Sequence, residues 1–132
     1  MKEYNLEFFS KTNWVFVLVK NKKIIYRSKK QGLAPLIFCL KNRKAGLKGA
    51  VAYDKIIGRA ASLLLVLGEV KEVITPAITR EALALLQKEK IKVQFGRRIK
   101  KVLNMKGDGP CPMEKLSRDK NSGEFLEALI KR

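Results

Sequence analysis

The sequence predicts an α/β domain: a five-stranded mixed sheet with helices on both faces. Three observations lead there. After an N-terminal hairpin, strand-like and helix-like segments alternate in the order β-β-α-β-α-β-α-β, which requires parallel crossovers and helices packed on the sheet. Residues 49–68, GAVAYDKIIGRAASLLLVLG, hold a helix that is apolar almost all round, as in elements buried on most sides. The 132 residues are one ordinary domain in size, 46% apolar and 31% charged. Such a chain buries roughly two-thirds of its unfolded surface and needs no disulfide or metal to hold it.

In chain order, residues 1–13 are mixed, with Leu6, Phe8 and Phe9 able to pack. Residues 14–19, WVFVLV, are β-branched and aromatic and read as a central strand. Asn21 suits the tight turn that follows, and residues 24–28, IIYRS, form the returning strand. Residues 32–41, GLAPLIFCLK, make the first helix, with Pro35 in its first turn and Leu33, Leu36, Ile37 and Leu40 at helical spacing. Residues 47–53 are the third strand. The central helix follows, with Ile56 and Ile57 inside it. Residues 72–75 are the fourth strand, ended by Pro76. Residues 79–90 are an amphipathic helix capped by Thr79. Residues 91–95 alternate as a fifth strand, and residues 97–103 read either as its extension or as a short helix. Residues 104–115 form a loop. The domain is expected over residues 1–116, and a polar linker with a short, loosely attached C-terminal helix over residues 117–132.

Net charge is +17, from 29 Lys and Arg against 12 Asp and Glu, which attracts polyanions or solvates a surface. There are two cysteines and no histidines, so a zinc site lacks ligands, no cofactor is expected, and a disulfide framework is excluded. No apolar run reaches the roughly 20 residues of a membrane span, and no signal-peptide core stands at the N-terminus. The expectation is a cytoplasmic protein with no membrane partner.

Two segments carry candidate chemistry. In Asp54-Lys55-Ile56-Ile57-Gly58-Arg59, Asp54 is read either as a helix cap or as a functional acid. Lys55 and Arg59 oppose the helix dipole there, so they fit better beside a bound anion, with Gly58 allowing close approach. The segment is no P-loop, since Tyr53 and Ala60 stand where Gly and Ser or Thr are required. In Gly107-Asp108-Gly109-Pro110-Cys111-Pro112-Met113-Glu114-Lys115, Cys111 is either a reactive thiol near Lys106 and Lys115 or an incidental one on a rigid loop. Basic segments with aromatics, Tyr26-Arg27 and Phe95 to Arg98, suit nucleic acid, although no RNP, KH or zinc-knuckle pattern is present.

The segments AYDKIIGRAASLLL and GDGPCPMEK resemble the DUF1893 family of small, uncharacterised prokaryotic proteins. The resemblance spans residues 12–116, and CPMEK after a Gly-rich loop is its most specific part. That family looks like a variant of the cytidine deaminase-like fold, so the resemblance implies a three-layer α/β/α domain. Zinc deaminases carry His or Cys-x-Glu at the start of one helix and Pro-Cys-x-x-Cys at the next. Here those places read Asp54-Lys55-Ile56 and Thr75-Pro76-Ala77-Ile78-Thr79, so zinc-dependent deamination is not expected. The resemblance leaves a pocket at the helix N-termini, with Asp54, Lys55, Gly58 and Arg59 on one wall. Cys111, Met113, Glu114 and Lys115 would close it if their loop folds back. The expected function is binding of a small anionic, nucleotide-like ligand, held by Lys55 and Arg59. Asp54 and Cys111 are the candidate catalytic pair, Cys111 as nucleophile or contact. The alternative is a basic RNA- or DNA-binding module without catalysis, acting through Arg97, Arg98, Lys100 and Lys101.

Overall fold

The computed structural model describes residues 4–104 and 106–131. Met1 to Glu3 of the N-terminal stretch, Met105 of the loop and Arg132 of the terminal helix lie outside the described residues. The chain opens with α1 (Leu6–Ser10), where the sequence shows no periodic signal. Asn5 caps it through a 2.8 Å bond from the Phe8 N–H to Asn5 Oδ1, and Phe9 anchors it against the sheet. The hairpin β1 (Phe16–Lys20) and β2 (Lys23–Ser28) turns through Asn21 and Lys22. Their φ values of 52° and 65° place both in the left-handed region that a two-residue type I′ turn demands.

Next come α2 (Ala34–Asn42), α3 (Lys44–Leu47), β3 (Val51–Asp54) and β4 (Ile56–Ile57). The helix α4 (Arg59–Gly68), β5 (Glu72–Thr79), α5 (Arg80–Lys88) and β6 (Lys92–Ile99) follow, then α6 (Pro112–Ser117) and α7 (Ser122–Ile130). The sheet runs β2-β1-β3-β5-β6, with β4 as a short sixth strand also paired to β5. β1 is antiparallel to β2 and β3, while β3, β4 and β6 are parallel to β5. The mixed α/β architecture follows from this order, and α4 is the central helix, packed by α2, α5, α6 and α7.

Several boundaries differ from the sequence reading, each for a physical reason. Ile56 and Ile57 extend the line of β3 as β4 and are not helical; α4 starts only after Gly58. β-branched residues favour the strand, and a glycine in extended conformation provides the junction. Pro76 does not end its strand, and β5 runs on to Thr79. One register joins β5 to both β3 and β4 (Val51 with Glu72, Ile56 with Ala77), which puts Lys55 level with Pro76. The missing proline N–H thus falls at the break between the two strands. On the other side Gly96 makes room, since a Cβ there would stand 2.8 Å from the Pro76 carbonyl oxygen. Residues 97–99 extend the fifth predicted strand as part of β6.

The C-terminal helix is not loosely attached. α7 begins with a capping box between Asn121 and Glu124 and lays Phe125, fully buried, against α4. The core has two parts. The larger lies between the sheet and helices α2 to α7, around Leu36, Leu64, Val73 and Leu86. The smaller, around Phe9, Val17, Tyr53 and Ile74, lies on the opposite face under α1.

Candidate functional site

Parallel strands converge on one edge of the sheet, and such an edge is where α/β folds place ligands. β3 ends there at Asp54. Successive residues of an extended chain point to opposite faces, and Asp54 and Lys55 separate accordingly. Asp54 turns toward the helical layer, only 5% exposed. Burial raises its pKa well above the ordinary 3.8, opposed by hydrogen bonds from the Ile56 and Lys55 N–H groups. Burial thus favours the protonated form of this carboxyl, in which it can donate as well as accept.

Lys55 turns to the other face. Its ammonium donates to the carbonyls of Phe9 (2.9 Å), Ser10 (3.3 Å) and Thr12 (2.7 Å), and it lies 4.6 Å from the centre of the Phe9 ring. It therefore caps the carbonyl end of α1. Burial pulls its pKa below the ordinary value. Lys55 also borders the cavity described below, but its ammonium is held by three carbonyls of the protein, so a ligand anion would have to compete with α1 for it.

Arg59 is committed as well. Nε donates to the Ser117 carbonyl (3.1 Å) and Nη2 to that of Lys120 (2.7 Å), while Nη1 pairs with Glu81 at 3.2 Å. The guanidinium fastens the connection between α6 and α7 to α5. The anion at the start of α4 belongs to the protein itself. Glu114 accepts the Arg59 N–H at Oε1 (2.9 Å) and the Ala60 N–H at Oε2 (2.6 Å). These are two of the unpaired donors at a helix N-terminus, and the carboxylate also meets the positive end of the dipole. Gly58 is required for this approach: a Cβ would collide with the Glu114 carboxylate and stand 2.6 Å from Val102 Cγ2. The close approach expected at Gly58 is thus made by Glu114.

The loop that delivers Glu114 does fold back. The Cys111 N–H donates to the Val102 carbonyl (3.1 Å) and the Asn104 N–H to that of Gly109 (2.8 Å), so residues 102–104 and 109–111 run side by side like the arms of a hairpin. Asn104 and Asp108 tie its tip by two further bonds of 2.9 and 3.2 Å. The result brings Asp54, Lys55, Gly58, Cys111, Met113 and Glu114 around one cavity of about 530 Å³, Lys55 lining it while its ammonium reaches α1. Apolar side chains including Val15, Leu33, Ile56, Val102 and Leu103 supply most of the remaining wall, with the amides of Gln31 and Asn104. Gln31 and Asn104 were not singled out by sequence; both are isolated amides in loops, with no motif to flag them.

Lys115 and Arg59 do not line this cavity, and Arg97, Arg98, Lys100 and Lys101 stand exposed on or just after the edge strand β6. The two thiols differ. Cys39 is fully buried in α2, and burial pushes its pKa up to about 11, whereas Cys111 is partly exposed at the cavity. Among the described residues, no three His, Cys, Asp or Glu side chains group closely enough to hold a metal. The segments Asp54-Lys55-Ile56 and Thr75-Pro76-Ala77-Ile78-Thr79 offer no thiol or imidazole. The donor set does not fit zinc. No helix among the described residues is long and apolar enough to cross a membrane.

A family model described as a domain of unknown function (DUF1893) matches residues 5–131. The match takes in α7, beyond the span read from the motifs alone. The solved structure of a DUF1893 family protein, TM1506 from Thermotoga maritima, is 25% identical with a TM-score of 0.84, and the alignment covers 99% of this chain and 92% of that one. RibD from Acinetobacter baumannii is 23% identical with a TM-score of 0.50, over 61% of this chain and 27% of that one. The likeness to RibD shows the fold: this is a cytidine deaminase-like α/β/α domain. No curated protein matches the chain.

Proposed function

The chain belongs to the DUF1893 family, and from that premise we propose that it binds a small, uncharged heteroaromatic molecule of the nucleobase or nucleoside class in the cavity between Asp54 and Cys111. The observation that carries this is the buried carboxyl of Asp54 facing the same 530 Å³ space as the Cys111 thiol. That volume suits a small organic ligand, and an apolar wall with a few polar groups is the usual form of such a site. The nucleotide-like ligand expected from sequence is revised in one respect. The cations meant for its phosphate are spent on α1 and on the α6–α7 connection, and the start of α4 is filled by Glu114. A neutral ligand matches what is left: a buried carboxyl, a thiol and the amide of Gln31. Asp54 would donate to or accept from a ring nitrogen or carbonyl, and Cys111 would contact the ring or add to it.

A thermal-shift and calorimetric screen of nucleobases, nucleosides and their 5′-monophosphates tests this. A ligand at 100 times its Kd stabilises by about 2.7 kcal/mol, several degrees for a domain of this size. The expected result is a shift with a base or nucleoside, no gain from the added phosphate, and at least tenfold weaker binding in Asp54→Asn. A clear preference for monophosphates, or binding indifferent to both Asp54→Asn and Cys111→Ala, would overturn it.

A further inference from the structure

Between Phe8 and Tyr53 the chain carries eleven Lys and Arg residues and no Asp or Glu. This stretch builds α2 and the free edge of the sheet, since among the described residues β2 pairs with β1 alone. Of these cations only Lys11 has an ion-pair partner among the described residues. Aromatic rings lie among them. Phe38 of α2 stacks on Tyr26 of β2, with centroids 5.8 Å apart and planes 17° from parallel, and it is still 43% exposed. The Arg43 guanidinium lies over the same Tyr26 at 5.8 Å. On the other face, the next residue of β2, Arg27, lies 4.5 Å from the centre of the half-buried Trp14 ring, with Lys29 at 5.0 Å.

We propose that this β2–α2 edge binds single-stranded nucleic acid. The reading is independent of the cavity and its ligand. A row of unpaired cations follows a phosphate backbone, and a ring held in place by a second ring offers a platform for an unpaired base. Phe38 is already part of a parallel stack, which a base extends. A duplex hides its base faces and cannot use such a platform. The surface differs from the β6 edge, where Arg97 and Arg98 have charge beside the partly exposed Phe95 but, among the described residues, no stacked ring pair.

The test is fluorescence anisotropy of a labelled oligouridylate against the full chain over a series of salt concentrations. A duplex of equal length and phosphatidylserine vesicles are titrated in parallel. The expected order is single strand tighter than duplex or vesicle. Phe38→Ala weakens single-strand binding roughly fivefold or more, the low end of one stacking contact, while Phe38→Tyr retains it. Arg43→Gln weakens binding and lowers the salt slope by about one. The Arg97→Gln, Arg98→Gln pair leaves it unchanged. Four outcomes overturn the proposal: no binding at physiological salt, equal affinity in Phe38→Ala, tighter binding to duplex or vesicles, or loss only in the Arg97 and Arg98 pair. Phe38 is exposed, so an unchanged thermal midpoint in Phe38→Ala shows that a loss of binding is local.

Discussion

The two faces of the sheet handle charge in opposite ways. On one, helices α2 to α7 build a deep layer, and a carboxyl, Asp54, is sunk at its margin beside an open cavity. On the other, the five-residue α1 covers a smaller cluster, and an ammonium, Lys55, holds that helix by its carbonyl end. The two residues are adjacent in sequence, where they look like parts of one site. The comparison teaches that a charge surrounded by protein acceptors is part of the scaffold, whereas an ionisable group buried next to empty space is available for chemistry. Strand geometry made the division, because a one-residue step along a strand changes the face.

Three measurements sharpen or break this contrast. The largest effect is expected for Phe125→Ala. Truncating a fully buried phenylalanine costs about 3–5 kcal/mol, so the thermal midpoint should fall by roughly 10 °C or more. A loss below about 1 kcal/mol would mean that α7 is no real part of the deep layer. Next come Glu114→Ala and Lys55→Met, compared by urea unfolding. Glu114→Ala removes a charged acceptor from two helix N–H groups and is expected to cost about 2–3 kcal/mol and to loosen the cavity loop. Lys55→Met keeps the stem but drops the bonds to α1, at about 1–2 kcal/mol, and should leave cavity ligands unaffected. Ligand binding lost in Lys55→Met but kept in Glu114→Ala would reverse the assignment of the two faces.

The smallest effect is a pH dependence. Burial raises the pKa of Asp54 in the folded state, so folding takes up a proton there. Its contribution to stability is fully present below 3.8 and is lost as pH rises through the folded value. Unfolding of wild type and Asp54→Asn in urea across pH 4 to 8, a range of about four units, should therefore show wild type losing ground to the variant as pH rises. Parallel curves would mean that Asp54 is ionised and solvated.

Much of the fold was legible because it rests on local periodicity. The β1–β2 hairpin, the buried central helix and the amphipathic α5 with its Thr79 cap are all written within short windows. What was missed depends on distant partners. α1 is a single capped turn held by Lys55, 43 to 46 residues later. Pro76 is tolerated in β5 because Gly96 and the break at Lys55 accommodate it, and neither is its neighbour in sequence. The site was half legible. Asp54 and Cys111 were found by type and context, and they do share a cavity. Of the two cations, Lys55 borders that cavity and Arg59 does not, and both have acceptors within the protein, which sequence cannot show because a free and a committed cation look alike until their acceptors are in place.

The reach of Glu114 has a consequence for how the chain is made. The N–H groups it satisfies belong to residues 54 and 55 positions earlier. At about 5–20 residues per second, a ribosome extrudes the central helix several seconds before it supplies that acceptor. Arg59 waits longer still, for carbonyls 58 and 61 positions on. A nascent chain halted before residue 112 holds a nearly whole sheet around a helix whose first turn has no partner. Residues 112–120 thus act as a late step of assembly, and nascent chains released short of them are the ones a cell's quality control should find exposed.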